Sequence, residues 1–352
     1  MPSVTCNRLG ESTMKCMTRL ACAAAVTIVL AAPTSAFGNP DRVEILVSPS
    51  GSGPYLAWAT FQNYAGDYTD EFSFVAVETP GFVYNVRFVA ESPELWTNTV
   101  FGSGQVAEWA AAEGLAPFFP SALPAASDFR VLGVMSQTSN FFVTLDSAIA
   151  SPDNFSGKRV GTGLMTQNEW GMHHRILLDH WGLTPRLASF NALGANENID
   201  AMLDGRSDVG ALVVHSAKDF RANLEPQPFR ALESSGRSWH YVNVPEEKIT
   251  DFIEETGAPF LLRRIPEGTF TNQPEELTTF GNFMTLSAHK DFPEDRAYEL
   301  VRIWMEIGEQ IGEYSAIARI WDPESISELA RVSPEMIHPG AMRAFREAGL
   351  VE

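Results

Sequence analysis

The chain has 352 residues, 45% of them hydrophobic, and carries 44 acidic against 25 basic side chains, a formal charge of −19. That length exceeds what one hydrophobic core usually serves, so two domains are expected, and the composition excludes a disordered chain. The acidic balance repels phosphate backbones and anionic lipid, and no aromatic-studded basic patch offsets it, which argues against nucleic-acid and membrane-surface roles.

Lys15 and Arg19 precede the apolar run Leu20 to Ala32, and Thr34-Ser35-Ala36 closes it with small residues. This is the pattern of an export signal over residues 1–36, cleaved near Ala36, and the run is too short for a membrane span. Its removal takes three basic side chains (Arg8, Lys15, Arg19) and one acidic (Glu11), leaving 22 basic against 43 acidic, a balance of −21. Cys6, Cys16 and Cys22 all fall within the signal, so the mature chain is expected to use no disulfide, cysteine nucleophile or thiolate metal site. Arg19 stands where lipidation at Cys22 would need an aliphatic residue.

The mature chain opens with Val43 to Val47, alternating as a strand, then the small-residue turn Ser48 to Gly53. Pro54 sits where a first helical residue belongs, ahead of Tyr55, Leu56, Trp58 and Phe61. Phe72 to Val77 reads as a second strand. It runs into Thr79-Pro80-Gly81, with Asn85 just inside the next helix pattern. Trp96 to Val100 reads as a short strand, with Gly102-Ser103-Gly104-Gln105 opening a helix. Thr79 and Asn85 are equally good as caps or as ligand contacts. A strand followed each time by a helix predicts a mostly parallel sheet, with its ligand crevice at the carboxyl ends of the strands.

Arg130 to Met135 is a further strand, and the polar run Ser136 to Asn140 reads as a first crossing into a second lobe, ahead of Phe141 to Leu145. Lys158 to Thr162 then forms a strand, a glycine turn and a helix start, where Thr166 and Glu169 have capping-box spacing. Such a helix start offers unpaired N–H groups to a small anion, with Thr166, Gln167 and Asn168 beside them, although capping alone explains the same residues. Asn196 to Leu203 reads as a helix and Val209 to Val214 as a strand. Thr278 to Leu286 reads as the returning strand, a second crossing, and Tyr298 to Ile311 as an amphipathic helix. Two turns of one design, one on each lobe, suit closure around a small solute between domains.

No catalytic pattern survives inspection. The glycine runs at 51–53, 102–104 and 161–163 fail the dinucleotide fingerprint and the phosphate loop, and no nucleophile elbow or His-Glu-x-x-His occurs. His173 and His180, seven apart on one helix, read as structural histidines. No metal or cofactor is expected. Trp58, Trp109 and Trp170 each follow a proposed ligand turn and pack a core or wall the cleft.

The C-terminus reads Ile337-His338-Pro339-Gly340-Ala341, then Phe345-Arg346-Glu347 and Gly349-Leu350. This resembles the closing signature of the TAXI family, the extracytoplasmic solute receptors of TRAP transporters. Further landmarks fall in family order: Thr79 with Gly81 and Asn85, Gly104-Gln105, Phe155 to Val160, Asp204-Gly205 with Asp208, and Pro266 to Phe270. The resemblance implies an α/β, type II periplasmic binding protein-like fold of two lobes joined by a two-strand hinge. Lobe I would comprise residues 41–137 plus 281–352, and lobe II residues 138–280. It implies a receptor, not an enzyme, that captures a small organic anion such as a dicarboxylate, keto acid or amino acid and delivers it to the TRAP membrane permease. The sequence departs from the family in both turns, Gly51 to Leu56 and Gly163 to Thr166. The expected ligand contacts are Ser50, Ser52, Tyr55, Thr79, Asn85 and Gln105 in one lobe, and Asn140, Thr162, Thr166 and Gln167 in the other. Two alternatives stay open: a receptor for an ATP-driven importer, and a secreted enzyme on the same shell.

Overall fold

The computed structural model describes residues 40–352; the expected export signal lies outside the described residues. In chain order the strands are β1 (Asp41–Leu46), β2 (Phe72–Val77), β3 (Thr99–Gly104), β4 (Phe129–Thr144), β5 (Arg159–Thr162), β6 (Ser189–Ala192), β7 (Val209–Ser216), β8 (Asn223–Leu224), β9 (His240–Val242), β10 (Leu261–Ile265), β11 (Leu277–Gly281) and β12 (Phe283–His289). The helices are α1 (Gly53–Ala65), α2 (Phe82–Glu91), α3 (Gln105–Glu113), α4 (His173–His180), α5 (Ala195–Leu203), α6 (Gln227–Ser234), α7 (Glu246–Thr256), α8 (Glu294–Ile311), α9 (Pro323–Ile326), α10 (Glu328–Val332) and α11 (Pro339–Glu347). The class is α/β, as the alternation of strands and helices predicts.

The strands join in the order β2-β1-β3-β12-β4-β7-β5-β6, with β8, β9, β10 and β11 attached to one side or the other of this path. Strands β1, β2 and β3 are parallel, and so are β5, β6 and β7. The 16 residues of β4 pass from one parallel group to the other. They pair with β12 over Phe129–Gln137 and with β7 over Gln137–Thr144, so Gln137 faces Phe283 on one side and Ser216 on the other.

Three expectations need correction here. Ser136 to Asn140 do not interrupt the strand: they are buried inside β4, because Thr138 and Asn140 find side-chain partners in Asn282 and His173. The returning segment is not one strand but two, β11 and β12, broken at Asn282, whose backbone N–H donates to Thr138 Oγ1 at 3.1 Å. Gly102 to Gly104 end β3 instead of opening a helix, and α3 starts at Gln105.

The apolar alternation fills three cores. One packs α1, α8 and α11 on the sheet around Trp58, Trp304 and Trp321, whose rings meet within 5.2 Å. A second runs from Val83, Val86 and Phe101 to Phe155, Leu177, Phe252 and Phe280. A third lies under α5 and α6, with Phe141, Leu212 and Phe229. Trp58 is therefore a core residue, with Nε1 donating to Met135 Sδ. The C-terminal His338 is also structural. It caps α11 by accepting from Gly340 N, donates to Phe292 O at 2.9 Å, and is held by burial down at about 4.

Candidate functional site

The turn after β1 is closed by its own side chains. Ser52 Oγ lies 2.6 Å from Ser48 Oγ and accepts from Tyr55 N, capping α1. Ser50 is exposed, and its backbone N–H donates to Glu78 Oε1 at 2.7 Å, which holds that carboxyl below its usual range. An internal carboxylate thus takes an amide of the turn that leads into α1. Tyr55 is half-buried against the first core.

The adjoining loop after β2 is tied to this turn. Thr79 N donates to Ser48 O, and buried Thr79 Oγ1 donates to Val47 O. Asn85, fully buried, spends its amide Nδ2 on three backbone carbonyls, Leu46 O, Val47 O and Gly102 O, at 2.7–3.3 Å. It staples the ends of β1 and β3 and leaves only its oxygen without a partner.

On the opposite group, the turn after β5 also differs from its expected form. Thr166 is exposed and does not cap. The helix begins instead as a π-turn over Asn168–Met172, preceded by Gln167, and continues into α4. The amide of Gly163 donates to Trp170 O and that of Leu164 to Gln167 Oε1, so both of these amides have partners within the turn. Thr162 is buried and its hydroxyl donates to Gly163 O. The loop after β2 nonetheless approaches this turn. A Cβ placed on Gly81, where φ is +136°, would stand 2.7 Å from Thr166 O. Ser52, Ser48, Thr79, Gly81 and Thr166 therefore form one continuous run of contacts across the two strand groups.

Deeper along β4 lies a buried polar cluster that includes residues sequence reasoning did not single out. Asn140 Nδ2 donates to His173 Nδ1 at 2.7 Å, Thr138 Oγ1 donates to Asn282 Oδ1 at 2.9 Å, and Asn168 Nδ2 donates to Glu169 Oε1 at 3.1 Å. Four atoms here have no protein partner: Asn140 Oδ1, Asn168 Oδ1, His173 Nε2 and Asn282 Nδ2. The cluster closes over Gly104, where a Cβ would lie 2.4 Å from both Asn168 Nδ2 and Asn282 Nδ2. Only glycine admits this approach. Unpartnered buried polar atoms are costly, so their concentration at a strand crossing marks a place for water or a polar ligand.

Burial sets the protonation of this cluster. It pushes the carboxyl of Glu169 up to about 7, as it does that of Glu108 on α3, and the ring of His174 down to about 4. Burial, with His174 beside it, also holds the His173 ring well below its ordinary value. His173 is thus a neutral ring that accepts from Asn140. Gln105, buried, leads to a cavity of about 460 Å³ that Glu108, Trp109, Arg130 and Met336 also line. A groove of about 720 Å³ near Trp239, Tyr241 and Asn272 is lined by none of the ten expected contacts.

On the other face of β4, Arg263 of β10 donates through Nε to Ser139 Oγ at 3.3 Å and through Nη1 to Gln137 Oε1. Gln137 in turn donates from Nε2 to Glu328 Oε2 at 2.7 Å. The guanidinium sits 4.4 Å over the Phe220 ring, and its Nη2 is buried without a partner. Sequence alternation held a signal for this: in Leu261–Ile265, Arg263 shares a face with buried Ile265, while Arg264 points out to Glu246.

The chain resembles solved structures at low identity. The Xanthomonas citri protein XAC2383, solved with ATP, shares 11% identity over 89% of this chain and 100% of that one, with a TM-score of 0.49. A TctC solute binding protein from Polaromonas shares 15% over 87% and 98%, with a TM-score of 0.45. The periplasmic aliphatic sulphonate binding protein SsuA from Escherichia coli shares 15% over 89% and 80%, with a TM-score of 0.39. Nothing about activity follows from likenesses this distant. No curated protein matches the chain in sequence. The sequence profile of the NMT1-like family matches residues 76–349, and the chain belongs to that family.

Proposed function

We propose that this protein is a periplasmic solute receptor of a TRAP transporter, of the TAXI type its C-terminal signature resembles. It captures a small organic anion between its two strand groups and delivers it, unaltered, to membrane permease subunits. The observation that carries the reading is the buried polar cluster along β4, where Asn140, Asn168, His173 and Asn282 keep unpartnered atoms at the passage from one group to the other. The groups act as lobes, residues 41–137 with 281–352 and residues 138–280, and the solute favours the closed arrangement by touching both.

Mass spectrometry of small molecules that co-purify with the mature chain, followed by thermal denaturation across a panel of carboxylates and amino acids, tests the proposal. The right solute stabilises by RT ln(1 + [L]/Kd), about 2.7 kcal/mol at one hundred times Kd. A panel that leaves the unfolding midpoint unmoved, with nothing co-purifying, refutes it. Uptake in cells separates the transporter classes: collapse of the ion gradient stops a TRAP system, whereas ATP depletion stops an ATP-driven importer first. Chemical turnover of the bound compound would mark an enzyme.

A further inference from the structure

We infer that the cavity beside α3 is a second binding site, separate from the solute's, for a small organic amine whose ammonium group is received by the carboxylate of Glu108. The cavity, of about 460 Å³, is built from distant segments: α3 is met by the link from α7 to β10, at Gly257 and Pro259, and by the turn before α11, at Glu335 and Met336. Glu108 lines it and is 6% exposed, and its Oε1 is buried with no protein partner. A buried carboxyl oxygen in that state lacks a donor, and a ligand in the adjoining cavity can bring one. Burial outweighs the hydroxyls of Ser287 and Ser103 and the charge of Arg130, and holds this carboxyl up at about 7.

The rest of the lining favours a cation. Glu113 and Glu335, both exposed, join Glu108, so three carboxyls line the cavity against one guanidinium, that of Arg130. Arg130 is engaged elsewhere: its Nη1 donates to Phe129 O at 2.7 Å and to Ser127 O at 3.2 Å. Half-buried Trp109 adds an indole, the ring that attracts cations best. Gln105 Nε2 donates to Met336 Sδ at 3.1 Å, which directs this expected solute contact into the same cavity. A chain with a balance of −21 also draws cations at long range. A metal ion fits less well, because among the described residues no three His, Cys, Asp or Glu side chains converge as a ligand set. Ala126, Phe129 and Pro259 supply apolar wall for the carbon chain of an amine instead.

The test uses the full mature protein and three probes of one chain length: butylammonium, butane-1,4-diammonium and the uncharged butan-1-ol. Binding is read by thermal denaturation and calorimetry at pH 8 for the wild type and for Glu108→Gln, which keeps the shape of the side chain. The expected result is an ammonium probe that binds where butan-1-ol does not, and that loses about 10- to 100-fold in E108Q, the range for a charge-assisted hydrogen bond. At pH 6, where Glu108 starts out mostly protonated, binding should release about one proton, read as a calorimetric heat that varies with the ionisation heat of the buffer. E108Q should release none, and the wild-type proton count decides the matter by itself should that variant not fold. Equal binding of butan-1-ol, affinity unchanged in E108Q, no proton released at pH 6, or no binding of either ammonium probe overturns the inference. Each of these results leaves the solute panel untouched, so the receptor reading stands or falls separately.

Discussion

Asn85 shows how a residue in a ligand loop can serve the fold first. Its amide meets three backbone carbonyls at the ends of β1 and β3, of which Thr79 Oγ1 also serves Val47 O, so Asn85→Ala removes this staple and takes its N–H groups from Leu46 O and Gly102 O. The expected loss is about 2–4 kcal/mol, read as a lower urea midpoint at unchanged slope. Glu169 gives a pH test with a definite sign. Burial raises its carboxyl from 4.5 to about 7, so the native state holds a proton that the unfolded chain releases. That contribution is complete below pH 4.5 and is lost as pH rises through about 7. Glu169→Gln should therefore match the wild type near pH 4.5 and exceed it at pH 8 by up to ~3 kcal/mol. His174 works in the opposite sense. Its ring is pushed from 6.5 down to about 4, so its contribution is present above 6.5 and disappears as pH falls through about 4. The two oppose each other between about pH 4.5 and 6.5, so Glu169→Gln leaves the His174 contribution unopposed, and the variant's stability should rise relative to the wild type's as pH goes from 5 to 7, by urea denaturation at each pH.

At the scale of elements, the Trp58, Trp304 and Trp321 triangle clamps α1 and α8 to the segment before α9. Trp304→Ala should cost about 3–5 kcal/mol, because the two flanking indoles cannot both collapse into the cavity. Its readout is the denaturation midpoint, and a change under 1 kcal/mol would contradict the packing. Strands β1, β2 and β7 and helix α5 were legible because period-2 and period-3.6 patterns end at turn residues. The start of α4 was not. The spacing of Thr166 and Glu169 suits a capping box, yet the backbone is drawn into a π-turn by the bond from Gly163 N to Trp170 O. Likewise the polar run in β4 looks like a break, since a run of Ser, Gln, Thr and Asn gives no apolar alternation, until its partners on other segments are known.

Over the whole molecule, the contact between Gly81 and Thr166 closes one strand group on the other. A methyl at position 81 would sit 2.7 Å from a backbone oxygen and strain a φ of +136°. Gly81→Ala should hold the groups apart, weaken binding of any solute about tenfold or more, and enlarge the radius of gyration of the bound form in small-angle scattering. Equal affinity and equal radius in the variant would show that this contact does not gate closure.

By itself the sequence determined the class of the fold, the alternation of strand and helix, and the glycine turns after β1 and β5, because each follows from local periodicity and the backbone freedom of glycine. The tertiary structure alone decided which polar side chains meet and which N–H groups stay free. Asn140 finds His173, Thr138 finds Asn282, and Arg263 reaches Gln137 across more than a hundred residues of chain. Those meetings depend on how β4 is shared between two groups of strands. Strand pairing between distant segments is a property of the closed sheet, and no window of sequence contains it.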